Sequence, residues 1–269
     1  TSCLVVRAAG RSIVEHRPHE LLTPASNLKL VTAVSALTRL GAPATLSTVV
    51  RSRSAPVNGV VEGPLWLVGG GDPLLATKDY ADSFVNQPQL RTPFEDLAAK
   101  VVAAGVREVR GGVIGDESRY DAQRFLPTWK RSYVSGGHVG PESALALNDG
   151  WAQFTPRKVV AENPAAHAAG VFTDLLRAQG VVVTGAPSAG VAPAGVTTIA
   201  SLRSPPVADI VGAMLRESDN NTAELLVKEM GRRFARAGTT AAGLGVVEQS
   251  LAAAKLPIAT TFVTRMIGG

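Results

Sequence analysis

Pro24-Ala25-Ser26-Asn27-Leu28-Lys29 runs into Leu30-Val31-Thr32-Ala33-Val34-Ser35-Ala36-Leu37-Thr38-Arg39-Leu40, and Gly41 and Pro43 follow. Leu28, Val31, Val34, Leu37 and Leu40 recur every three residues, and Leu30 stands four before Val34, the spacing of a helix face. Gly41 and Pro43 stop the helix. The pattern therefore predicts a helix through residue 40 with Ser26 at or just inside its N-terminus. Positions i and i+3 share a helix face, so the Lys29 amine can approach the Ser26 hydroxyl. A serine hydroxyl is a weak nucleophile and needs a base. A lysine serves only when its amine can be neutral, which burial or a nearby positive field favours. The helix N-terminus adds a partial positive charge close to both groups. The bland alternative is an N-cap serine beside a solvated lysine. The apolar helix behind the pair points instead to burial.

A second polar cluster, Ser218-Asp219-Asn220, stands far along the chain between two helical segments. One segment opens at Pro205-Pro206 and runs to about Arg216; the other runs from Thr222 to about Ala237. A loop there can point a hydroxyl and a carboxamide into a cleft. The hydroxyl can relay a proton to a leaving amine, and the amide can hold a substrate carbonyl and the lysine. The competing reading is a helix cap, with Ser218 or Asn220 opening the helix at Thr222. The two readings are compatible. S-x-x-K, S-D-N and K-T-G together mark class A β-lactamases and penicillin-binding proteins. Two of the three occur here, in that order, and their wide separation suits a penicillin-binding protein with a long insertion.

The rest of the chain mixes helices and strands without a strict βαβ rhythm. Residues 3–8 and 11–15 flank Ala9-Gly10 as a hairpin. Strands are predicted at 46–53, 57–61, 65–68, 109–114, 181–184 and 196–202. Helices are predicted at 93–104, 164–179 and 243–254, and residues 116–150 read as irregular. The resulting division is 1–54 and 196–269 as two parts of a discontinuous domain, with 55–195 as a strand-rich insertion.

The composition is 45% hydrophobic and 18% charged, which fits a folded chain with a real core. The net charge of +5 is scattered, with no aromatic-interleaved basic stripe, which argues against nucleic acid as a partner. No apolar run is long enough to span a bilayer, and no signal peptide opens the sequence. The sequence is accordingly expected to be a mature or trimmed form. Cys3 is the single cysteine, so no internal disulfide is possible; beside Leu4, Val5 and Val6 it reads as a small buried strand residue.

Other candidates carry less. Gly69-Gly70-Gly71-Asp72 resembles a phosphate loop but lacks the following Gly-Lys-Ser/Thr. His16, His19 and Glu20 are placed as loop side chains, since Pro18 disrupts any helix there. His138 lies in a glycine-rich loop, without the G-x-S-x-G elbow of a Ser–His–Asp enzyme. Asp116 and Asp149 read as turn residues. Trp129 and Trp151 are candidates for shaping the insertion or contacting glycan.

Five stretches together carry a family resemblance. They are Pro24-Ala25-Ser26-Asn27-Leu28-Lys29-Leu30, Leu67-Val68-Gly69-Gly70-Gly71-Asp72-Pro73, Gly115-Asp116-Glu117-Ser118-Arg119-Tyr120, Ser143-Ala144-Leu145-Ala146-Leu147-Asn148-Asp149-Gly150 and Ser218-Asp219-Asn220-Asn221-Thr222-Ala223-Glu224. Over most of residues 3–255 the chain resembles the D-alanyl-D-alanine carboxypeptidase/endopeptidase family, the low-molecular-mass class C penicillin-binding proteins of peptidase family S13. The resemblance implies an α+β fold, with a catalytic domain like that of penicillin-binding proteins and serine β-lactamases and a large strand-rich insertion. It implies that Ser26 attacks the bond between two D-alanines of a peptidoglycan stem peptide, with Lys29 as base and Ser218 and Asn220 assisting proton transfer and positioning substrate. β-lactam antibiotics would acylate Ser26. No metal or organic cofactor is implied, and the expected location is the bacterial cell envelope, outside the cytoplasm. Neither K-T-G nor D-G-S-G follows Lys255. The expectation is that roughly the last third of the catalytic domain is missing from the sequence. A non-catalytic peptidoglycan-binding protein and a β-lactamase are the competing readings.

Overall fold

The computed structural model describes residues 2–20 and 24–255. The described helices are α1 (Lys29–Ala36), α2 (Lys78–Asp82), α3 (Phe94–Ala103), α4 (Arg131–Ser135), α5 (Pro164–Ala178), α6 (Val207–Glu217), α7 (Asn220–Phe234) and α8 (Thr240–Ala253). Six of them serve two main apolar cores, α3 and α5 on a sheet and α1, α6, α7 and α8 in a largely helical core.

The sheet core rests on five strands in the order Ser188–Ala189, Val113–Asp116, Leu65–Val68, Ser47–Ser52, Thr197–Arg203. Leu65–Val68 runs parallel to Val113–Asp116 and antiparallel to Ser47–Ser52, which pairs antiparallel with Thr197–Arg203. Ser47–Ser52 buries alternate residues, Thr48, Val50 and Ser52, as a strand with one covered face should. Helices α3 and α5 cover that face. Phe94 and Phe172 meet there with ring centroids 5.3 Å apart, both fully buried, each contributing about 1.5–3 kcal/mol of apolar burial. Asn163 caps α5 by accepting from Ala166 N–H, and Pro164 occupies its first turn, where no amide partner is needed.

The helical core packs α1, α6, α7 and α8 through Ala33, Ala36, Ile210, Met214, Val227 and Met230. Helices α7 and α8 approach closely at Gly243, where a Cβ would stand 2.0 Å from the Val227 carbonyl oxygen. Helix α1 turns its small and polar residues inward: Lys29, Thr32, Ala33, Ser35 and Ala36 are buried, while Leu30 and Val34 are about half exposed. The helix is buried as expected, and Leu28, Val31, Leu37 and Leu40 pack against the helical core, but its most buried positions are small or polar. Close approach to α7 selects alanines over leucines.

The five-stranded sheet takes strands from both sides of residues 54/55 and 195/196, so one sheet crosses both expected boundaries. The strand expected at 109–114 is divided into Glu108–Val109 and Val113–Asp116, which join different sheets. The hairpin Leu4–Ala8/Arg11–His16 forms as expected, but every residue in it is exposed. Cys3 is exposed with it, which corrects its reading as a buried residue. The stretch after Lys255 lies outside the described residues.

The run Gly69–Gly71 is structural. A Cβ on Gly70 would lie 2.0 Å from the Ser47 carbonyl oxygen, a backbone atom of the neighbouring strand. Gly70→Ala is expected to destabilise the protein by about 1–3 kcal/mol through overpacking. Gly245, inside α8 with open space at its Cβ position, supplies the contrast: Gly245→Ala is expected to stabilise by about 0.5–1 kcal/mol. Urea denaturation of the two variants against the parent checks both signs.

Candidate active site

The backbone sets the first polar pair. Ala25 takes a left-handed conformation, φ 46°, ahead of a 3-10 turn over Ala25–Leu28 that leads into α1. Such a conformation costs an L-residue roughly 1 kcal/mol. It turns the chain so that Ser26 is exposed while Lys29, one turn on, is only 7% exposed. Ser26 thus precedes the α-helix proper, on its 3-10 lead-in.

The second cluster is a helix-to-helix corner. Ser218 ends α6 in a left-handed conformation, φ 54° and ψ 37°. Asp219 then caps α7, its carboxylate accepting from Asn221 N–H at 3.0 Å, from Thr222 N–H at 3.1 Å and from the Thr222 hydroxyl. The cap is therefore the middle residue, and the reading of Ser218 or Asn220 as cap is corrected. With Asp219 turned into the helix, its two neighbours face the other way. Helix α7 begins at Asn220, two residues earlier than expected.

Lys29 joins the two clusters. Its Nζ lies 2.7 Å from Asn220 Oδ1, 3.4 Å from Ser26 Oγ and 3.5 Å from Ser218 Oγ. All four residues singled out in the sequence therefore meet around one nitrogen. An ammonium has three donors, and here three oxygens face them, none of them a carboxylate. The Lys29 amine is held below the usual lysine range, chiefly by burial, while the carboxylates of Asp219 and Glu224 act in the opposite sense. A buried amine with a lowered proton affinity beside an exposed serine hydroxyl can act as that serine's base.

Asn220 is oriented from its other end, where Nδ2 donates to the His138 carbonyl at 3.1 Å. Asn221 fixes the same loop: its Oδ1 accepts from Gly140 N–H at 3.1 Å, and its Nδ2 donates to the Asp149 carbonyl at 3.0 Å. These residues were not foreseen as site elements. Asn221 stood in a quoted stretch, but His138 contributes through its backbone, which no side-chain motif can signal. Of the other sequence candidates, Asp149 and Trp151 lie beside the Ser218–Asn220 corner. Asp116 accepts from the amides of Ser118 and Ala192, a turn role as expected. Trp151 is buried in a small aromatic cluster with Tyr80.

A cavity of about 240 Å³ opens beside Ser218–Asn220, which line it together with Tyr80, Phe84, Trp151, Lys158, Met214 and Asp149 among others. At its wall the Tyr80 hydroxyl donates to Asp149 Oδ2 at 2.6 Å. Burial, with Asp219 nearby, pushes the Asp149 carboxyl up to about 7.

The chain matches the sequence profile of the D-Ala-D-Ala carboxypeptidase 3 (S13) family over residues 3–161 and 151–264. It is 28% identical over 319 residues to a D-alanyl-D-alanine carboxypeptidase of Actinomadura sp., covering 92% of this chain and 57% of that protein. It is 29% identical over 239 residues to carboxypeptidase DacB of Mycolicibacterium smegmatis, covering 88% of this chain and 49% of that one. The chain thus spans about half the length of the curated relatives it matches. Among solved structures, penicillin-binding protein 4 (dacB) from Haemophilus influenzae superposes with a TM-score of 0.75 at 18% identity, over 91% of this chain and 65% of that one. The same Haemophilus protein, complexed with a β-lactam, matches with a TM-score of 0.63. These likenesses show a penicillin-binding-protein-like α+β fold.

Buried carboxyls around the site give stability a definite pH dependence. Burial raises Asp72 to about 6 and Glu142 and Asp149 to about 7. Each binds its proton more tightly folded than unfolded, so protonation favours the fold. That contribution is complete below about pH 4, the unfolded carboxyl range, and is lost as pH rises through 6 to 7. Urea midpoints measured from pH 5 to pH 8 are expected to fall, by an amount on the order of a few kcal/mol in unfolding free energy.

Proposed function

The chain belongs to the D-Ala-D-Ala carboxypeptidase 3 (S13) family, and on that premise we propose that Ser26 is the nucleophile of a D-alanyl-D-alanine carboxypeptidase reaction on peptidoglycan stem peptides. The observation that carries the reading is the placement of Lys29 Nζ between Ser26 Oγ, Ser218 Oγ and Asn220 Oδ1.

In this proposal the neutral Lys29 amine takes the Ser26 proton as Oγ adds to the carbonyl between the two D-alanines. The Ser26 backbone N–H and a second amide from a strand edge face the developing oxyanion. Ser218 stands beside Lys29 and passes the proton on to the departing amine of the terminal D-alanine. Asn220 steadies Lys29 through Oδ1. Water then attacks the ester on Ser26, Lys29 taking its proton and handing it to Ser26 Oγ as the shortened peptide leaves. A cross-linked peptide presents the same bond, so the same nucleophile would serve an endopeptidase reaction. A β-lactam would acylate Ser26 through its strained amide and leave slowly. The substrate places the protein in the bacterial cell envelope. No described helix is long and apolar enough to cross a membrane.

Incubating the full-length protein with a fluorescent penicillin, then locating the label by mass spectrometry, tests the proposal. The label is expected on Ser26; its absence there would sink the acyl-enzyme reading, and rapid turnover of the penicillin would favour a β-lactamase. Ser26→Ala is expected to abolish labelling while shifting unfolding free energy by no more than about 0.5 kcal/mol, since the side chain is exposed. Lys29→Met is expected to slow labelling by about 10²–10⁴-fold.

A further inference from the structure

Asn220, Glu224 and Lys228 follow one another at four-residue spacing, so they lie along one side of α7. Asn220 ends this row at the Lys29 amine. Lys228 ends it in the protein interior: 1% exposed, it donates to Asp121 Oδ1 at 2.7 Å and to the Gln123 carbonyl at 3.0 Å, and stands 2.8 Å from Glu142 Oε2. Glu224 sits between the two lysines, 4% exposed, and its Oε2 has no hydrogen-bond partner. An ionised carboxylate left in that state is very costly, whereas an uncharged acid costs far less.

The charges facing Glu224 come from three places. Lys29 faces it from α1, Lys228 from its own helix, and Glu142 from the segment ahead of Ser143. Burial and Glu142 hold the Glu224 carboxyl well above the usual range, against the pull of Lys228 and Lys29. Asp121 acts on Glu142 in turn. From the side of Lys29, two carboxyls matter, Asp219 and Glu224. Asp219 is tied into the α7 cap by three donors. Glu224, lacking such donors on Oε2, is the one free to change state.

We propose that Glu224 is a positioning residue that sets the proton affinity of Lys29 through space: uncharged, it leaves the amine free to act as a base, and ionised, it fastens the proton there. The inference rests on Lys29 being the base, as proposed above. As pH rises, Glu224 loses its proton and makes Lys29 cling to its own. The labelling rate therefore climbs with pH later, and over a wider range, than one ionisation would give.

The test is the pH profile of penicillin labelling by the full-length protein and two variants. Glu224→Gln keeps the shape and stays uncharged. Its profile is expected to follow a single ionisation with a midpoint about one unit lower, a roughly tenfold gain on the rising limb. Glu142→Gln removes the carboxylate that keeps Glu224 uncharged, and its midpoint is expected to move up. A Glu224→Gln profile that falls uniformly without moving, or shifts of the same sign in both variants, would overturn the inference. Melting curves establish that each variant folds; should Glu224→Gln not fold, the upward shift in Glu142→Gln decides alone. A parent protein that never labels on Ser26 overturns the base reading and this inference together, whereas normal labelling with unmoved midpoints overturns this inference only.

Discussion

Lys29 Nζ meets Asn220 Oδ1 at 2.7 Å across 191 positions of chain. Taking an ammonium out of water costs several kcal/mol even after the protein relaxes, and only well-placed oxygens offset it. Those oxygens come from the lead-in to α1 and from the corner between α6 and α7. The site therefore exists only while α1 and α7 hold their register. That register is enforced by the helical core, where Ala33 and Ala36 let α1 lie close to α7. Packing and chemistry here are one constraint viewed from two sides. A slip of α1 along α7 would strand a buried charge, so the charge itself penalises the wrong packing.

The sheet body acts on the site from a distance. It carries the loop whose His138 carbonyl and Gly140 amide clasp Asn220 and Asn221. That loop is held at its far end by Asp149, whose carbonyl accepts from Asn221 and whose carboxyl accepts from Tyr80. The amide of Asn220 is thus oriented from both ends, one by Lys29 and one by the loop. With Nδ2 committed to a carbonyl, Oδ1 is the end left to face the amine.

What could be read in advance follows the range of the interaction. Ser26 and Lys29 share a face because of helical geometry, which three residues of sequence reveal. Ser218 and Asn220 could be named from their motif, but not the reason they point together. That reason is Asp219, which takes the cap and turns its neighbours outward, and Ser and Asn are equally good caps on paper. The apolar period of α1 finds Leu28, Val31, Leu37 and Leu40 on the core side, but not Thr32, Ala33, Ser35 and Ala36, which an apolar count passes over. Cys3 was misjudged because its hairpin is strand-like in pattern yet exposed on all sides, a property of what lies beside it. Short pairs such as Leu75–Ala76 with Thr92–Pro93 are two residues long and have no period to detect.

The placement of buried acids separates support from chemistry. Asp72 lies at the glycine run, where one oxygen accepts from Leu74 N–H, and it steadies a turn. Asp149 is satisfied by Tyr80 and ties a loop. Glu229, equally buried, is ionically paired with Arg119 and Arg233. Each of these has at least one local partner, although Asp72 Oδ2 has none. Glu224 Oε2 has no hydrogen-bond partner, and the carboxylate acts on Lys29. A purely structural position there would be filled as well by leucine or methionine, which bury at no electrostatic cost. On the proposal above, an acid whose Oε2 lacks a hydrogen-bond partner, one helical turn from Asn220, is explained by what it does to Lys29.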